Sequence, residues 1–457
     1  MKTNGISWLL ALACGAALAC LPSGDDPANS GEFGETTDTS DTDGHTTGDT
    51  SAVPDIPSTG MGDPNEQLPP LDEDGCPGIY AQDLFPTFEL EIEPVVLELL
   101  IYEWNNGLAI ENMGMDPKPY HPLRAFRYGE ILIEDAEIRL RGNTTWWKPT
   151  DKMQFQIGFH RNDPDGRFLG QARLLFDAAT FNRHMLRDRL GLSIMRDVGI
   201  PAPCANSARV VINGEFYGVF TSIEKIDEVF LERQFDNPNG DLWKRANWTL
   251  KSNEDSATAA RLNALKASAN ADELHEYYDI ERNLRVFAAE AVIPDSDGAW
   301  AGGLNYYLYD DPTTGKFLLL PWDLDNSFER FDHPPGGEYA PNPDPVVWEK
   351  NNTNGRPQYD LMMQDPEWMA LYIDIIDEIL HEGYAPSELH ERVDTWTAQI
   401  KEAVFMDTNK PYSNALYLEK VGALHAYIDG RYEFLEQWLE CWEAGGEADD
   451  DGYCELP

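Results

Sequence analysis

Five oxygen-bearing side chains are concentrated in one short stretch of the sequence. They are Asp295, Asp297, Asn305, Asp323 and Asp325. Carboxylates at the end of an apolar strand are costly unless they hold a cation or accept hydrogen bonds, and Asp323 directly follows the apolar residues 317–322. Mg²⁺ bound by one or two carboxylates and by substrate phosphates is the usual arrangement for phosphoryl transfer. The stretch therefore indicates either this chemistry or a structural hairpin capped by turn-forming aspartates.

Phosphoryl transfer also requires a base, a metal-binding amide and a cation on the phosphates. Asp297, Asn305 and Lys152 could supply these three parts. Other chemistries lack their motifs, because the sequence contains no GxxxxGK[ST], GxGxxG, HExxH or GxSxG. The nine histidines are scattered and no CxxC is present, so a zinc site is not indicated.

Composition narrows the class of protein further. The chain has 457 residues, of which 42% are hydrophobic, so most of it can form a buried core. Acidic residues outnumber basic ones by 81 to 34, and the formal net charge is −47. Such a field repels phosphate backbones, so no nucleic-acid partner is expected.

The N-terminus has the pattern of an export signal. Lys2 precedes an apolar stretch over residues 6–19, which is too short to span a bilayer comfortably but suits a signal peptide. The sequence Ala17-Leu18-Ala19-Cys20 resembles a bacterial lipobox, so residues 1–19 are predicted to be removed and Cys20 to be lipidated. Cys14 is a second candidate, and cleavage without lipid is the alternative. We expect an exported protein, lipid-anchored in the bacterial cell envelope at the outer membrane or cell surface.

Residues 20–75 form an acidic tract rich in Asp, Thr, Gly and Pro. With few apolar residues and one sign of charge, such a tract cannot offset the entropy lost on ordering, so we predict a disordered tether. Beyond it, four cysteines remain: Cys76, Cys204, Cys441 and Cys454. They allow two disulfides in three connectivities. A link between Cys76 and the C-terminal cysteines would join the chain termini, while Cys204 could instead be a buried free thiol.

The folded region has strand patterns first and helix patterns last. Strands are predicted over residues 88–101, 129–140 and 152–159, a helix over 180–198, hairpins over 208–223 and 304–322, and helices over 359–442. This order predicts an α+β protein with a β-rich lobe, about 76–235, and a helical lobe, about 236–445. Residues 446–457 form a C-terminal tail.

Several longer sequence segments resemble one known family. They are IRLRGNTTW (138–146), LRDRL (186–190), VGIPAP (198–203), INGEFYGVFTSIEKID (212–227), GDLWK (240–244) and LPWDLD (320–325). In words, order and spacing they are similar to the CotH family, the spore-coat-protein-H-like kinases. The likeness extends over about residues 80–442 and lies in the set of motifs, because no single motif would suffice.

The resemblance implies an atypical protein-kinase-like fold that uses ATP and Mg²⁺ or Mn²⁺. On it, Asp297 is the catalytic base, with Asp295 as the alternative. Lys152 is the partner of the ATP phosphates, for which Lys148 and Lys225 compete. The metal ligands are Asn305 and Asp323, with Asp325 as a supporting or alternative ligand.

Two further acidic residues, Glu224 and Asp227, fall where the family's hinge would contact adenine and ribose. The chain departs from the family at Leu304, where relatives commonly carry histidine before the asparagine.

The function expected from these residues is transfer of the ATP γ-phosphate to Ser or Thr of exported or coat proteins. ATP is scarce outside the inner membrane, so two alternatives stay open. One is a non-catalytic surface or coat-assembly lipoprotein that uses the same fold to bind proteins. The other keeps the nucleotide chemistry but transfers AMP.

Overall fold

The computed structural model describes residues 71, 75–142, 152–254, 257–328, 343–346, 355–448 and 454–455. The predicted signal peptide, Cys20, Lys148 and nearly all of the predicted tether lie outside these residues. The described residues belong to one compact unit. Among their helices, none combines the length and apolar character needed to cross a membrane.

Nine strands of the described residues form one mixed sheet. They are β1 (Thr87–Glu91), β2 (His121–Pro122), β3 (Ala125–Tyr128), β4 (Ile131–Ile133), β5 (Glu137–Leu140), β6 (Phe155–Gly158), β7 (Arg173–Asp177), β8 (Ala205–Ile212) and β9 (Glu215–Ile223). The strand order is β2-β5-β6-β7-β9-β8-β1-β3-β4. The pair β1–β8 is parallel and the other pairs are antiparallel.

The hairpin β8–β9 forms where its turn residues predict it. Asn213 and Gly214 both have positive φ, 52° and 84°. Two such residues in succession are typical of the two-residue turns whose twist matches that of the flanking strands. Asn213 also accepts a hydrogen bond from the Ile92 amide at 2.7 Å, which holds the turn against the segment after β1.

The strand predicted over residues 88–101 is wrong beyond residue 91. Only β1 is extended, and helix α1 (Pro94–Asn112) follows it. Proline suits the first turn of a helix, because its fixed φ is helical and its missing N–H has no helical partner there. The buried Val96, Leu100 and Trp104 are spaced four residues apart, so one face of α1 packs on the core.

Helix α2 (Arg187–Asp197) begins later than the predicted start at residue 180. Met185 has a φ of 62°, which no right-handed helix accommodates. The helix is buried on all sides near its start, including the charged residues Arg187, Asp188 and Arg189. Buried charges of this kind require partners. Arg189 donates to Gln82, Ser207 and Gln399, while Arg187 and Asp188 lie at the site described below.

A second, four-stranded antiparallel sheet follows. It consists of β10 (Asp241–Lys244), β11 (Thr249–Leu250), β12 (Tyr306–Asp311) and β13 (Lys316–Pro321), in the order β11-β10-β12-β13. The hairpin β12–β13 pairs Tyr306 with Pro321 and Asp311 with Lys316. Its ends therefore bring Asn305 and Trp322 to the same edge of the sheet, as the sequence predicts for the second hairpin.

Helices make up most of the remainder. They are α3 (Glu228–Gln234), α4 (Ala260–Ala267), α5 (Ala271–Tyr277), α6 (Ile280–Val292), α7 (Pro357–Met363), α8 (Pro366–Glu382), α9 (Pro386–Met406) and α10 (Asn414–Glu443). The short strands β14 (Glu447–Ala448) and β15 (Cys454–Glu455) pair after them. The α+β fold class, β-rich first and mainly helical last, is confirmed.

The described core divides into two apolar clusters. One packs α1 against the large sheet and contains Phe88, Phe126 and Phe176. The other joins α2, the small sheet and helices α6–α10.

A disulfide connects Cys76 to Cys204, the residue before β8. The predicted link from Cys76 to the C-terminal cysteines and the predicted free thiol at Cys204 are therefore both wrong. Cys441 is also disulfide-bonded.

Candidate active site

A cleft of about 1790 Å³ opens among the two sheets, α2 and α10. Although the chain has a net charge of −47, the side chains that line this cleft carry an excess of positive charge. Among the described residues, its lining has seven acidic side chains and eleven basic ones: Lys118, Arg139, Arg141, Arg161, Arg173, Arg183, Arg187, Lys225, Lys244, Lys251 and Lys420. A local excess of positive charge in a concave surface favours an anionic ligand.

The hairpin β12–β13 carries the acidic part of the cleft. Asn305 lies directly before β12, and Asp323 and Asp325 lie just after β13, so the antiparallel pairing brings all three together. The side-chain amide of Asn326 donates to Asp325 at 2.9 Å and to Asp297 at 3.1 Å. Asp297 is thereby connected to the hairpin although it precedes β12 by several residues. These side chains form one contiguous polar edge in the cleft.

The backbone is strained at two of these positions. Asn305 has a φ of 37° and Asp323 a φ of 64°, both in the left-handed region. For residues with a Cβ this conformation costs free energy and persists only where surrounding structure enforces it. Strain of this kind concentrates at functional sites, and here it directs two oxygen-bearing side chains into the cleft.

Burial and like charges raise the pKa values of the carboxyl groups. Burial and the nearby Asp323 raise the pKa of Asp297 to about 6. Burial likewise raises the pKa of Asp323, although the positive charges of Arg141, Lys244 and Lys225 act in the opposite direction and lower it. For Asp325, burial, Asp323 and other acidic neighbours raise the pKa well above its usual range. Concentrated negative charge of this type is what a bound cation would relieve.

Further carboxylates lie behind this edge, fully buried. Burial raises the pKa of Glu290 to about 8, and the pKa of Asp295 is raised well above its usual range by burial and by Asp297. Within the described part of the chain, one carboxylate oxygen of Glu290 and one of Asp188 have no hydrogen-bond partner. Buried polar atoms without partners are rare and point to an ion or proton that satisfies them.

The described residues contain no group of three or more His, Cys, Asp or Glu side chains positioned to hold a metal by themselves. A magnesium ion is compatible with this, because it is usually held by one or two carboxylates and completes its shell with water and substrate phosphates. Asn305, Asp323 and Asp325 supply such a partial set of oxygen ligands.

Two half-buried lysines, Lys225 and Lys244, lie beside the hairpin. The ammonium of Lys225 lies 4.8 Å from the Trp322 ring centre and donates to the Tyr307 hydroxyl at 2.8 Å. Lys244 lies 5.4 Å from the same Trp322 ring. Burial and mutual repulsion lower the pKa of Lys225, and burial lowers that of Lys244. Among the described residues neither has a carboxylate within ion-pair distance, which leaves both available to an anion.

Arg141 completes the basic side of the cleft. Its guanidinium pairs with Asp177 at 2.6 Å, and the positive charge also acts on Asp323. Arg141 lies just after β5, whereas Lys225 follows β9 and Lys244 ends β10. Three separate strands therefore bring cationic side chains towards Asp323.

Lys152, predicted to contact the ATP phosphates, is placed elsewhere. It is fully buried, and its ammonium donates to the carbonyl of Val219 and to Asp407 Oδ2, the latter at 2.8 Å. It lies 4.4 Å from the Phe220 ring centre and does not line the cleft. The structure gives Lys152 a contact with the segment after α9 in place of a contact with the cleft.

Of the two predicted hinge residues, one lines the cleft and the other does not. Asp227 lines the cleft, caps α3 by accepting from the Val229 amide at 3.1 Å, and pairs with Arg173 at 2.5 Å. Glu224 is fully buried and lies outside the cleft lining. It binds Arg233 and accepts from the Cys204 amide, so its oxygens are engaged in holding the disulfide region.

The sequence interpretation assigned no role to Asp188, Glu290 and Asn326. Asp188 had a signal, since three charged residues in a row directly precede the mostly apolar run 190–195. Glu290 lies in an apolar part of α6, and a glutamate is seldom fully buried there unless its carboxyl group has a partner. For Asn326 no signal existed, because its role depends on the hairpin geometry.

Three similarities to known proteins accompany this geometry. Residues 138–435 match the family described as CotH kinase protein. The inner spore coat protein H of Bacillus subtilis (strain 168) is 21% identical over 332 residues, covering 67% of this chain and 87% of that protein. The crystal structure of a Helicobacter pylori proinflammatory kinase, CtkA, covers 66% of this chain and 97% of that one. At 10% identity and a TM-score of 0.31, that likeness is too low to support an argument. The family match spans more than half of the residues, and the chain belongs to the CotH kinase protein family.

Proposed function

We propose that the protein binds Mg²⁺–ATP in the cleft and transfers the γ-phosphate to Ser or Thr of exported or coat proteins. One observation carries the proposal: the partly exposed oxygen ligands of the β12–β13 edge face cations from three other strands in a single cleft. A metal–nucleotide complex needs both, carboxylates for the cation and basic side chains for the phosphates.

Asn305, Asp323 and Asp325 would hold the metal. Their oxygen-bearing side chains lie directly before β12 and just after β13 and line the cleft. Asn305 and Asp323 also have left-handed backbone conformations. Mg²⁺, or Mn²⁺ in its place, would neutralise charge on the phosphates and orient them. The raised pKa values of Asp323 and Asp325 fit such a role, because a cation at this place favours both ionised carboxylates.

Asp297 would act as the general base that accepts the proton of the acceptor hydroxyl. Its pKa of about 6 leaves it mostly ionised at neutral pH but still basic enough to accept a proton. Asn326 donates a hydrogen bond to its Oδ2 at 3.1 Å, and Asp297 lines the cleft beside Asp323. Asp295 is fully buried and does not line the cleft, which favours Asp297 of the two.

Lys225, Lys244 and Arg141 would bind the phosphates. Two lysines on one tryptophan ring repel each other, so an anion between them removes a cost that the free protein bears. Asp227 at the cleft wall would contact the nucleoside part. Lys152 is instead proposed to hold the structure together through Asp407.

An extracytoplasmic location supports the choice of exported acceptors. Disulfides persist in oxidising compartments, and the chain contains the Cys76–Cys204 disulfide. The Bacillus relative is named as a spore coat protein, which is consistent with a surface or coat location. We propose that the chain is exported through residues 1–19 and lipid-anchored at Cys20, outside the described residues.

The proposal is tested by incubating the purified chain with ATP and Mg²⁺ or Mn²⁺ and recording intact mass. We expect a phosphate-sized increment on the wild type and none on Asp323→Ala. An AMP-sized increment would replace phosphoryl transfer by AMP transfer. If no increment appears and ATP produces no thermal shift, the enzyme proposal fails and the non-catalytic, protein-binding alternative is favoured.

A further inference from the structure

Two histidines face each other on the surface formed by α9 and α10, among residues that the proposed reaction does not use. The Nδ1 atoms of His390 and His425 are 2.7 Å apart. The Nε2 of His390 lies 2.7 Å from Asp429, and the Nε2 of His425 lies 3.2 Å from Asp394. Each helix contributes one histidine and one aspartate, and both imidazole rings are half-buried.

The outer carboxylates determine where the protons lie. An ionised aspartate only accepts hydrogen bonds, so each Nε2 must carry a hydrogen and donate it. In a neutral imidazole the other nitrogen is then a bare lone pair. The two Nδ1 atoms are only 2.7 Å apart while the ring centres are 4.8 Å apart, and two acceptors this close repel each other unless a positive charge lies between them.

We propose that His390 and His425 form a binding site for a transition-metal ion of the zinc type, which joins α9 to α10. Imidazole nitrogen is a preferred ligand of such ions. The outer contacts have the arrangement found around ligating histidines, whose second N–H is donated to a carboxylate that fixes the ring. Here that outer arrangement is present for both rings, through Asp429 and Asp394.

The geometry requires only a small adjustment. Two nitrogens on one tetrahedral zinc ion, each at about 2.0–2.1 Å, lie about 3.3 Å apart, so the rings must separate by roughly 0.6 Å. Because both side chains lie at the surface, rotation about their χ angles can provide this. Two protein ligands leave further coordination positions for water, which predicts moderate affinity and an exchangeable ion.

Zinc binding by the purified full chain, measured by equilibrium dialysis and calorimetry, tests the site. We expect the wild type to bind one zinc ion per chain. In His390→Ala and in His425→Ala the dissociation constant for this ion should rise at least tenfold. Zinc should also raise the thermal unfolding temperature of the wild type. The shift should disappear in both variants, since an ion that links two helices in the folded state stabilises that state.

The matched control is His381→Ala. This histidine also lies on a helix surface beside two carboxylates, Asp377 and Glu436, but among the residues that the structure describes its imidazole faces no second histidine nitrogen. It should leave zinc binding unchanged. The proposal is overturned if the double variant His390→Ala/His425→Ala binds zinc as the wild type does, or if the wild type binds none. In the latter case a shared proton alone joins the two rings.

Discussion

Asp297 and Asp295 are two residues apart and differ in accessibility. Asp297 lines the cleft, whereas Asp295 is fully buried and lies outside the cleft lining. If Asp297 is the base, Asp297→Asn lowers the rate of phosphate transfer by at least about 10²-fold, the usual contribution of general base catalysis. Asp295→Asn should reduce the rate less. A larger loss in Asp295→Asn would transfer the role of base to that residue.

The pH dependence of the same rate follows from the raised pKa. A protonated Asp297 cannot accept a proton, so the rate should rise with pH through about 6 and level off above it. Rates measured between pH 5 and 8 should show this limb for the wild type. The residual rate of Asp297→Asn should lack it. A limb that survives in Asp297→Asn would assign the titration to another group.

Lys152 and Lys225 provide a second contrast at the residue scale. Lys152 and Asp407 are both fully buried, so Lys152→Met leaves an unpaired buried carboxylate and should lower the free energy of unfolding by about 3–5 kcal/mol. Lys225→Met removes a half-buried cation that repels Lys244, so stability should be kept while ATP binds at least tenfold more weakly.

Urea unfolding and ATP titration of both variants separate these roles. The double variant Lys152→Met/Asp407→Asn should recover part of the lost stability, because it removes the unpaired buried charge and keeps a side-chain oxygen that can accept from nearby backbone amides such as that of Val219. Unchanged stability in Lys152→Met together with lost ATP binding would instead support the phosphate-contact role that the sequence resemblance implied for Lys152.

At the scale of elements, local signals predicted what local chemistry determines. Asn213-Gly214 predicted the β8–β9 turn because two residues with positive φ suffice to form it. The helix α1 was missed because its apolar residues merge with those of β1, and only Pro94 marks its start. Burial of Lys152 could not be predicted, since its partner Asp407 is 255 residues away.

The β12–β13 hairpin connects backbone strain to the proposed metal site. Asp323 has a left-handed φ of 64° and a carboxyl group whose pKa burial raises. Asp323→Gly removes both costs, so the metal-free protein should gain about 1 kcal/mol or more in free energy of unfolding. Thermal and urea unfolding should also show that the variant has lost any stabilisation by Mg²⁺ with ATP.

Asp323→Asn is the matched control for this hairpin. It retains the side-chain volume and the left-handed backbone but removes the charge. Its gain in stability should therefore be smaller than that of Asp323→Gly. Equal gains in the two variants would show that the carboxylate alone, and not the backbone, carries the cost at this position.

At the scale of the whole molecule, the cleft joins parts that are distant in sequence. The acidic side chains adjacent to β12 and β13 were predictable as a group because one hairpin carries them. The basic side could not be predicted as a group, since Arg141, Lys225 and Lys244 follow or end different strands of two sheets. Their convergence depends on sheet topology, which the pattern of apolar residues does not specify. The family resemblance identified the motifs but not their contacts.

The Cys76–Cys204 disulfide is a second long-range feature, and its effect on stability can be calculated from chain length. It joins residues 128 apart, and closing a loop of that size in the unfolded chain corresponds to about 5 kcal/mol at most in the chain-entropy model. Replacing both residues, Cys76→Ala/Cys204→Ala, should therefore lower the free energy of unfolding by about 2–5 kcal/mol. Urea unfolding of the oxidised proteins measures the difference.

A reductant distinguishes this disulfide from the one that contains Cys441. Dithiothreitol should lower the stability of the wild type by more than that of the double variant, because only the wild type loses the Cys76–Cys204 link. Both cysteines are fully buried, so reduction of the folded wild type should be slow and should accelerate in urea. Equal losses in the two proteins would mean that the link contributes nothing to stability. The N-terminal end of the folded region would then be held by packing and by hydrogen bonds such as that from Arg233 to the Gly75 carbonyl.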